Sequence, residues 1–270
     1  MKVPFVKYSG AGNDFVLIDI CYLSLSYDLG ALARSLCDRR GGIGADGLLL
    51  LLESKTADFQ MRIFNADGSE PAMCGNGIRC LVDYVQREKN AADEITIETM
   101  HRILRCRKLG DQIAVDLGAP SVLHWPSGSV YVVDTGVPHA VLFVEDLENV
   151  DVAVEGKKVR FDPTFGPSGV NVNFAAIDAD GRICVRTYER GVESETLACG
   201  TGAAAVAYVA ATLHNLPSPI PIATRSSFSE GRPEFNATIS FSIERSIEML
   251  GHAEKVFEGS IDLEEFEKSP

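Results

Sequence analysis

The sequence predicts an α+β protein made of two similar halves, each with short strands and one dominant helix. Three observations carry that expectation. Two stretches, RIFNADGSEPAMCGNGIRCLVDYV (Arg62–Val85) and RTYERGVESETLACGTGAAAVAYV (Arg186–Val209), say nearly the same thing: a β-prone run, a polar turn, Glu four residues before Cys, then Cys-Gly-polar-Gly opening a helical pattern. Short apolar runs bounded by Gly, Pro, Asn and Asp fill most of the remaining chain, which is how strands are written. At 270 residues the chain suits one large or two medium domains with ample core.

Taken in order, Val3 to Tyr8 reads as a strand, and SGAGNDFVLID is a Gly-rich turn feeding a second apolar strand. The Gly-x-Gly pair lacks the third Gly, the Gly-Lys-Ser/Thr ending and a following helix, so it is a weak phosphate-loop signal. Asn13 and Asp14 suit turn formers; Asn13 can alternatively lend its amide to a ligand. Leu29 to Cys37 reads as a helix, DRRGGIGADG as a loop, and GLLLLLE as a strand apolar on both sides and therefore buried. Phe59 to Asn65 is the strand entering the first cysteine unit, Ile78 to Arg87 its helix, and Glu94 to Glu98 and Gln112 to Leu117 further strands. Gly118 to Gly128 reads as a loop and as the boundary between halves. Val130 to Asp134 is a strand, and His139 follows a Pro and opens another. FDPTFGPSG is a loop leading to VNVNFAAI, whose alternation gives Asn171 and Asn173 one polar face. Arg182 to Tyr188 leads into the second cysteine unit, LPSPIP breaks the chain after its helix, and Ile222 to Val256 alternates as strands before the acidic tail IDLEEFEKSP.

The formal charge of -13 and the absence of any Lys/Arg block argue against nucleic acid or an anionic membrane as partner. No apolar run approaches spanning length, and MKVPFVKYSG has no apolar signal core, so the expected location is the cytoplasm. Seven scattered cysteines fit thiols better than a disulfide framework. The five-residue gap in CGNGIRC, with no His beside it, matches zinc spacing poorly, so no metal is expected.

After Cys74, Ile78, Leu81, Val82 and Val85 fall on one helical face; after Cys199, Val206, Val209, Ala210 and Leu213 do the same. Each cysteine thus sits where unpaired amides and the positive end of a helix dipole converge, and a thiol there is expected to ionise more readily than a free one. Gly75, Gly77, Gly200 and Gly202 leave the amides open to a carboxylate or phosphate. A lone Cys at a tight turn is more often a small buried hydrophobe. Two copies of one arrangement shift the odds, since like units tend to pack about a pseudo-dyad with both helix starts facing one pocket.

The motifs GNDFVLID, FNADGSE with AMCGNG, GVPHAV, VNVNF, YERG and ETLACGTG, in this order, resemble the diaminopimelate epimerase family over essentially the whole chain. The resemblance implies two pseudo-symmetric domains, each a curved, mostly antiparallel sheet wrapped around a central helix. The last strand would return to the first domain, giving halves of residues 1–119 with 257–270, and of residues 120–256. It implies an isomerase of lysine and peptidoglycan precursor synthesis that needs no cofactor and converts LL-diaminopimelate to the meso form, with Cys74 and Cys199 as thiolate base and thiol acid. By the same resemblance Gly75, Asn76, Gly200 and Thr201 cradle the α-carboxylate, and Asn13, Asn65, Asn171, Glu189 and Arg190 contact substrate. His139 and Glu189 would tune the thiols or orient the ammonium. For Asn65 and Asn171 the plainer role, satisfying backbone at a turn or strand end, stands beside the functional one. Expected partners are the small amino-acid substrate and, as a candidate assembly, a second copy in a homodimer.

Three departures from the family pattern stand out. Gly47 replaces a glutamine after Gly-Ile-Gly-x-Asp, Val137 replaces the asparagine of Gly-Asn-Pro-His, and one extra residue lies between Arg190 and Cys199. Losing two amides predicts relaxed selectivity at the distal end of the substrate, because a site built to bond a polar group rejects ligands lacking it. Arg190 still offers a fork for a second carboxylate. A broad-range or proline-type amino-acid racemase is the alternative enzyme; an anion-binding module and a redox or zinc protein are the non-isomerase alternatives. A Cys74–Cys199 disulfide is expected as an oxidation artefact.

Overall fold

The computed structural model describes residues 2–21, 27–124, 130–177, 182–196, 199–225, 238–243 and 246–263. The chain divides into two compact units, Met1–Val115 with Gly251–Pro270, and Asp116–Leu250.

The first unit runs β1 (Lys2–Gly10), β2 (Asn13–Asp19), α1 (Leu29–Cys37), β3 (Gly47–Leu52), β4 (Phe59–Asn65), α2 (Gly75–Glu88), β5 (Glu94–Glu98), β6 (Ile103–Leu109) and β7 (Gln112–Asp116). The second runs β8 (Ser121–His124), β9 (Val130–Asp134), β10 (Pro138–Phe143), α3 (Val152–Arg160), a 3-10 turn (Pro163–Phe165), β11 (Asn171–Ile177), β12 (Ile183–Glu189), β13 (Ser194–Thr196), α4 (Gly200–His214), β14 (Ile220–Thr224), β15 (Thr238–Ile243) and β16 (Ile247–Gly251). The chain then re-enters the first unit with β17 (Glu254–Asp262).

The first unit has the strand order β17-β1-β2-β3-β4-β5-β6-β7, and only the β2–β3 and β4–β5 steps are parallel. The second has β8-β9-β10-β11-β12-β14-β15-β16, with parallel steps only at β10–β11 and β12–β14. The two orders superpose step for step, antiparallel on antiparallel and parallel on parallel. Among the described strands the only insertion is β13, which hydrogen-bonds the end of β12 just before the second cysteine. The repeat read in two short stretches therefore extends through both units.

In each unit one helix is enclosed by the sheet. α2 packs against β17, β1, β2, β3 and β4, and α4 against β9, β10, β11, β12, β14 and β15. The other helix covers the opposite face: α1 lies on β3 and β4, α3 on β11 and β12. This layering explains the run GLLLLL. Leu48 and Leu50 join the core under α1, while Leu49 turns to α2, where it approaches Gly77. It also explains VNVNF: Val172 and Phe174 join the core under α3, and Asn171 and Asn173 point the other way. The polar face of that strand is not a solvent face, since Asn171 is 4% and Asn173 0% exposed.

Several boundaries differ from the sequence reading. β6 was not anticipated, because Arg105, Arg107 and Lys108 break its apolar pattern. α3 was not anticipated either: valines and Gly156 weaken helix propensity, yet Gly156 is needed there because a Cβ would meet the Tyr188 side chain at 2.5 Å. β8 occupies part of the stretch read as a loop; residues 125–129 of that stretch, and 264–270 of the acidic tail, lie outside the described residues. Among the described residues no helix is long and apolar enough to cross a membrane.

Candidate active site

Each cysteine is the N-cap of an enclosed helix. Cys74 has extended backbone (φ -136°, ψ 116°) and precedes α2; Cys199 (φ -123°, ψ 107°) precedes α4. The first-turn amides of a helix have no intrahelical acceptors, so an N-cap side chain sits among donors. The Cys74 Sγ accepts from the Gly77 amide at 3.4 Å. The Cys199 Sγ lies 3.6 Å from the Thr201 hydroxyl instead. Both cysteines are half-buried.

A matching clasp fastens the turn ahead of each cysteine. Arg62 on β4 grips Glu70 through Nε–Oε1 (2.7 Å) and Nη2–Oε2 (2.9 Å). Arg186 on β12 grips Glu195 in the same way, both bonds at 2.7 Å. Two-pronged guanidinium–carboxylate pairs fix direction as well as distance. This is the role of the repeated Glu four residues before Cys. Arg186 also donates to the Leu147, Glu148 and Val150 carbonyls, which ties the second turn to the segment before α3.

Beneath the two helix starts the repeat diverges. In the first unit Arg79, fully buried, donates to Gly75 O (3.2 Å) and to Asn76 Oδ1 (2.7 Å). That fixes the Asn76 amide, whose Nδ2 points to Asn13 Oδ1 at 3.3 Å. Every hydrogen bond described for Arg79 ends on a neutral acceptor, and burial lowers its pKa. In the second unit Ala204 stands where Arg79 would be, and the underpinning is uncharged. His139 is fully buried; its Nε2 meets Thr201 Oγ1 at 3.0 Å and its Nδ1 meets Asn173 Nδ2 at 3.1 Å. Burial, aided by the positive charge of Arg190, pushes the His139 pKa down to about 3, so the ring is neutral near pH 7.

Residues 5–123 and 131–254 match the model of one family, diaminopimelate epimerase. The chain belongs to the diaminopimelate epimerase family. Diaminopimelate epimerase of Archaeoglobus fulgidus is 39% identical, covering 98% of each chain, and that of Aquifex aeolicus 38% identical, covering 98% of this chain and all of the relative. The fold is shared more widely. A phenazine biosynthesis protein of Bacillus anthracis superposes with TM-score 0.70 at 16% identity, covering 97% of this chain and 99% of that one. A hydroxyproline epimerase of Agrobacterium vitis gives 0.63 at 15%, covering 96% and 92%.

Within this epimerase family chain, the first unit brings together Cys74, Gly75, Asn76 and Asn13, and the second brings together Cys199, Thr201 and His139. Asn65 bonds Ser69 Oγ at 2.9 Å within its own turn. Asn171 uses its amide to hold Pro138 O (3.2 Å) and the Arg190 amide (2.9 Å), so its described bonds are those of a backbone organiser. The Arg190 guanidinium reaches Gly169 O at 3.4 Å. Glu189 ends β12, and burial raises its pKa. Asp14 belongs to the scaffold. It binds Arg39 (2.7 Å), Lys7 (2.7 Å) and the Asp46 amide (3.1 Å), and although burial pushes its carboxyl up, Arg39 and Lys7 hold it well below the usual range.

Two glycines serve a different purpose from the one read in the sequence. A Cβ on Gly77 would meet Leu49 Cδ2 at 2.8 Å, and one on Gly202 would collide with Asn173 Oδ1. Both point into the packed interior, so they permit close approach of helix and sheet rather than opening amides to an anion. Gly47 is also sterically required, since a Cβ would meet Phe64 O at 2.9 Å. The extra residue after Arg190 falls in a turn with positive φ at Gly191 (94°) and Glu193 (57°), where Arg160 secures the Glu193 carboxylate at 3.1 Å. Arg79, Asn173 and the two Arg–Glu clasps belong to the site beyond what the sequence predicts. Arg79 did carry a signal, lying i+3 from Asn76 on the buried stripe of Ile78 and Val82.

Proposed function

We propose that the chain interconverts LL- and meso-diaminopimelate without a cofactor, with Cys74 and Cys199 as the two acid/base groups. The observation that carries the reading is the placement of both cysteines at the same point of a duplicated unit, the N-cap of its enclosed helix, in a chain of this family. An amino-acid α-proton is very weakly acidic, so the carbanion that forms must be stabilised where its charge spreads, on the carboxylate oxygens. Helix-start amides, pre-oriented and partly dehydrated, supply that stabilisation as an oxyanion hole does. One cysteine removes the proton as thiolate and the other returns one as thiol; in the reverse direction the roles exchange. A single base would hand the proton back to the face it came from.

In this reading Gly75, Asn76, Gly200 and Thr201 hold the α-carboxylate, Asn13, Asn65, Asn171, Glu189 and Arg190 contact substrate, and His139 and Glu189 adjust the thiols and orient the ammonium. The enzyme works in the cytoplasm as a homodimer. The test is chiral chromatography of purified, reduced protein with LL-diaminopimelate and no pyridoxal phosphate. Formation of the meso isomer supports the reading; its absence overturns it.

Gly47 and Val137 favour a wider substrate range. Neither residue offers the amide that the family pattern carries at its position, and the Phe64 carbonyl leaves no room for a side chain at 47. A panel of L-amino acids beside diaminopimelate tests this: turnover of diaminopimelate alone removes the wider range and leaves the epimerase.

A further inference from the structure

Asn173 lies on β11 beneath α4, fully buried, with both ends of its amide engaged. Its Nδ2 donates to Ala140 O at 3.1 Å, and its Oδ1 accepts from the Thr187 hydroxyl at 3.0 Å. A backbone carbonyl can only accept, so the contact with Ala140 fixes which end of the amide is the NH2 group. The same NH2 group faces His139 Nδ1 at 3.1 Å. Nδ1 must therefore be the acceptor, and the single ring proton of a neutral imidazole must sit on Nε2. From there it is donated to Thr201 Oγ1 at 3.0 Å. With its oxygen accepting that proton, the Thr201 hydroxyl turns its own hydrogen outward, and the Cys199 Sγ stands 3.6 Å away to receive it.

We propose that Asn173 is a positioning residue for the acid/base chemistry: by locking His139 as the neutral Nε2–H tautomer, it makes the Thr201 hydroxyl a donor to the Cys199 thiolate. The proposal rests on the reading of Cys199 as an acid/base group. His139 in this scheme takes no proton from Cys199, because the nitrogen that faces Thr201 already carries one. The chain of donors runs one way, from the Thr187 hydroxyl through Asn173, His139 and Thr201 to the sulfur, with no charged group before the sulfur; the Ala140 carbonyl accepts from Asn173 and orients its amide. Gly202 belongs to it sterically, since any Cβ there would strike the Asn173 oxygen. At the equivalent position in the first unit Arg79 orients Asn76, whose amide points to Asn13 Oδ1, while the Gly77 amide donates to the Cys74 sulfur.

Two readouts independent of turnover test the proposal. Imidazole nitrogen NMR of the reduced full-length protein should show His139 as the neutral Nε2–H tautomer from pH 8 down to pH 5. In Asn173→Asp the carboxylate accepts where the amide donated, so the ring proton should move to Nδ1, leaving Nε2 to accept from Thr201. Alkylation of Cys199, followed by mass spectrometry of its peptide, should be on the order of tenfold slower at pH 7 in Thr201→Val and in Asn173→Asp, through loss of a hydrogen bond to a charged group. Thr201→Ser should restore it. An Nδ1–H tautomer or an imidazolium in the unmodified protein, or alkylation unchanged in both variants, overturns the proposal. Because neither readout needs substrate, failure of the epimerase reading would appear separately, as absence of meso product.

Discussion

At Cys199 the sulfur meets the Thr201 hydroxyl, whereas at Cys74 it meets the Gly77 backbone amide, and the position that carries Thr201 in one helix carries Asn76 in the other. Both thiols are expected to be essential. Cys74→Ala and Cys199→Ala should each lower the rate of inversion by at least the ~10²–10⁴-fold typical of a positioned acid or base; stopped-time chiral assays measure it. His139 gives a pH prediction whose sign follows from its depressed pKa. Between the unfolded value near 6.5 and the folded value of about 3, the unfolded chain binds a proton that the folded chain refuses. The stability from keeping the ring neutral is complete above about pH 6.5 and fades as pH falls toward 3, by up to ~1.4 kcal/mol per unit. Urea melts should therefore show the gap between the native protein and His139→Gln narrowing from pH 7.5 to pH 5. A gap that widens in acid would contradict the assigned neutral state.

At the scale of elements, the strand, clasp, turn and helix N-cap form one repeated device, and its two copies are unequally buried. The Arg186 side chain is 9% exposed and Arg62 37%, so the second clasp has less water to replace a lost partner. Glu195→Gln is expected to cost about 1–3 kcal/mol in denaturant titrations, and Glu70→Gln less than about 1. Equal losses would mean that burial is not what distinguishes them. Gly202→Ala should destabilise by about 1–3 kcal/mol, because the helix must lift off Asn173 or Asn173 must leave His139. Much of this device was legible. α1 runs over the residues the sequence predicts, Leu29–Cys37; Asp28 caps it, accepting from the Gly30 and Ala31 amides. α2 was read from Ile78, three residues late, because Gly75, Asn76 and Gly77 have poor helix propensity and are held helical by the cap and by burial. The role of Asn173 is not legible in the sequence for a physical reason: an Asn alternating with Val on a strand has the pattern of a solvent face, and only the sheet wrapped around α4 buries it.

Across the whole molecule, the identical step pattern of the two sheets shows a duplication that extends far beyond the two cysteine segments. That extent was not legible, because apart from the cysteine units the halves share strand order rather than sequence. β17 pairs with β1 along its length, so the strand Glu254–Asp262 lies in the unit where the chain began. The duplication has kept the cysteine at each helix start while allowing what lies beneath to diverge, a buried cation in one unit and a neutral relay in the other. The most direct measurement is made in heavy water with LL-diaminopimelate and no pyridoxal phosphate, following deuterium at the α-carbons by mass spectrometry at early times. Two cysteine bases require that newly formed meso product carry solvent deuterium at the inverted carbon while the remaining LL substrate stays protiated. Inverted product that keeps its original hydrogen, or labelling that persists in both Cys74→Ala and Cys199→Ala, would contradict the account.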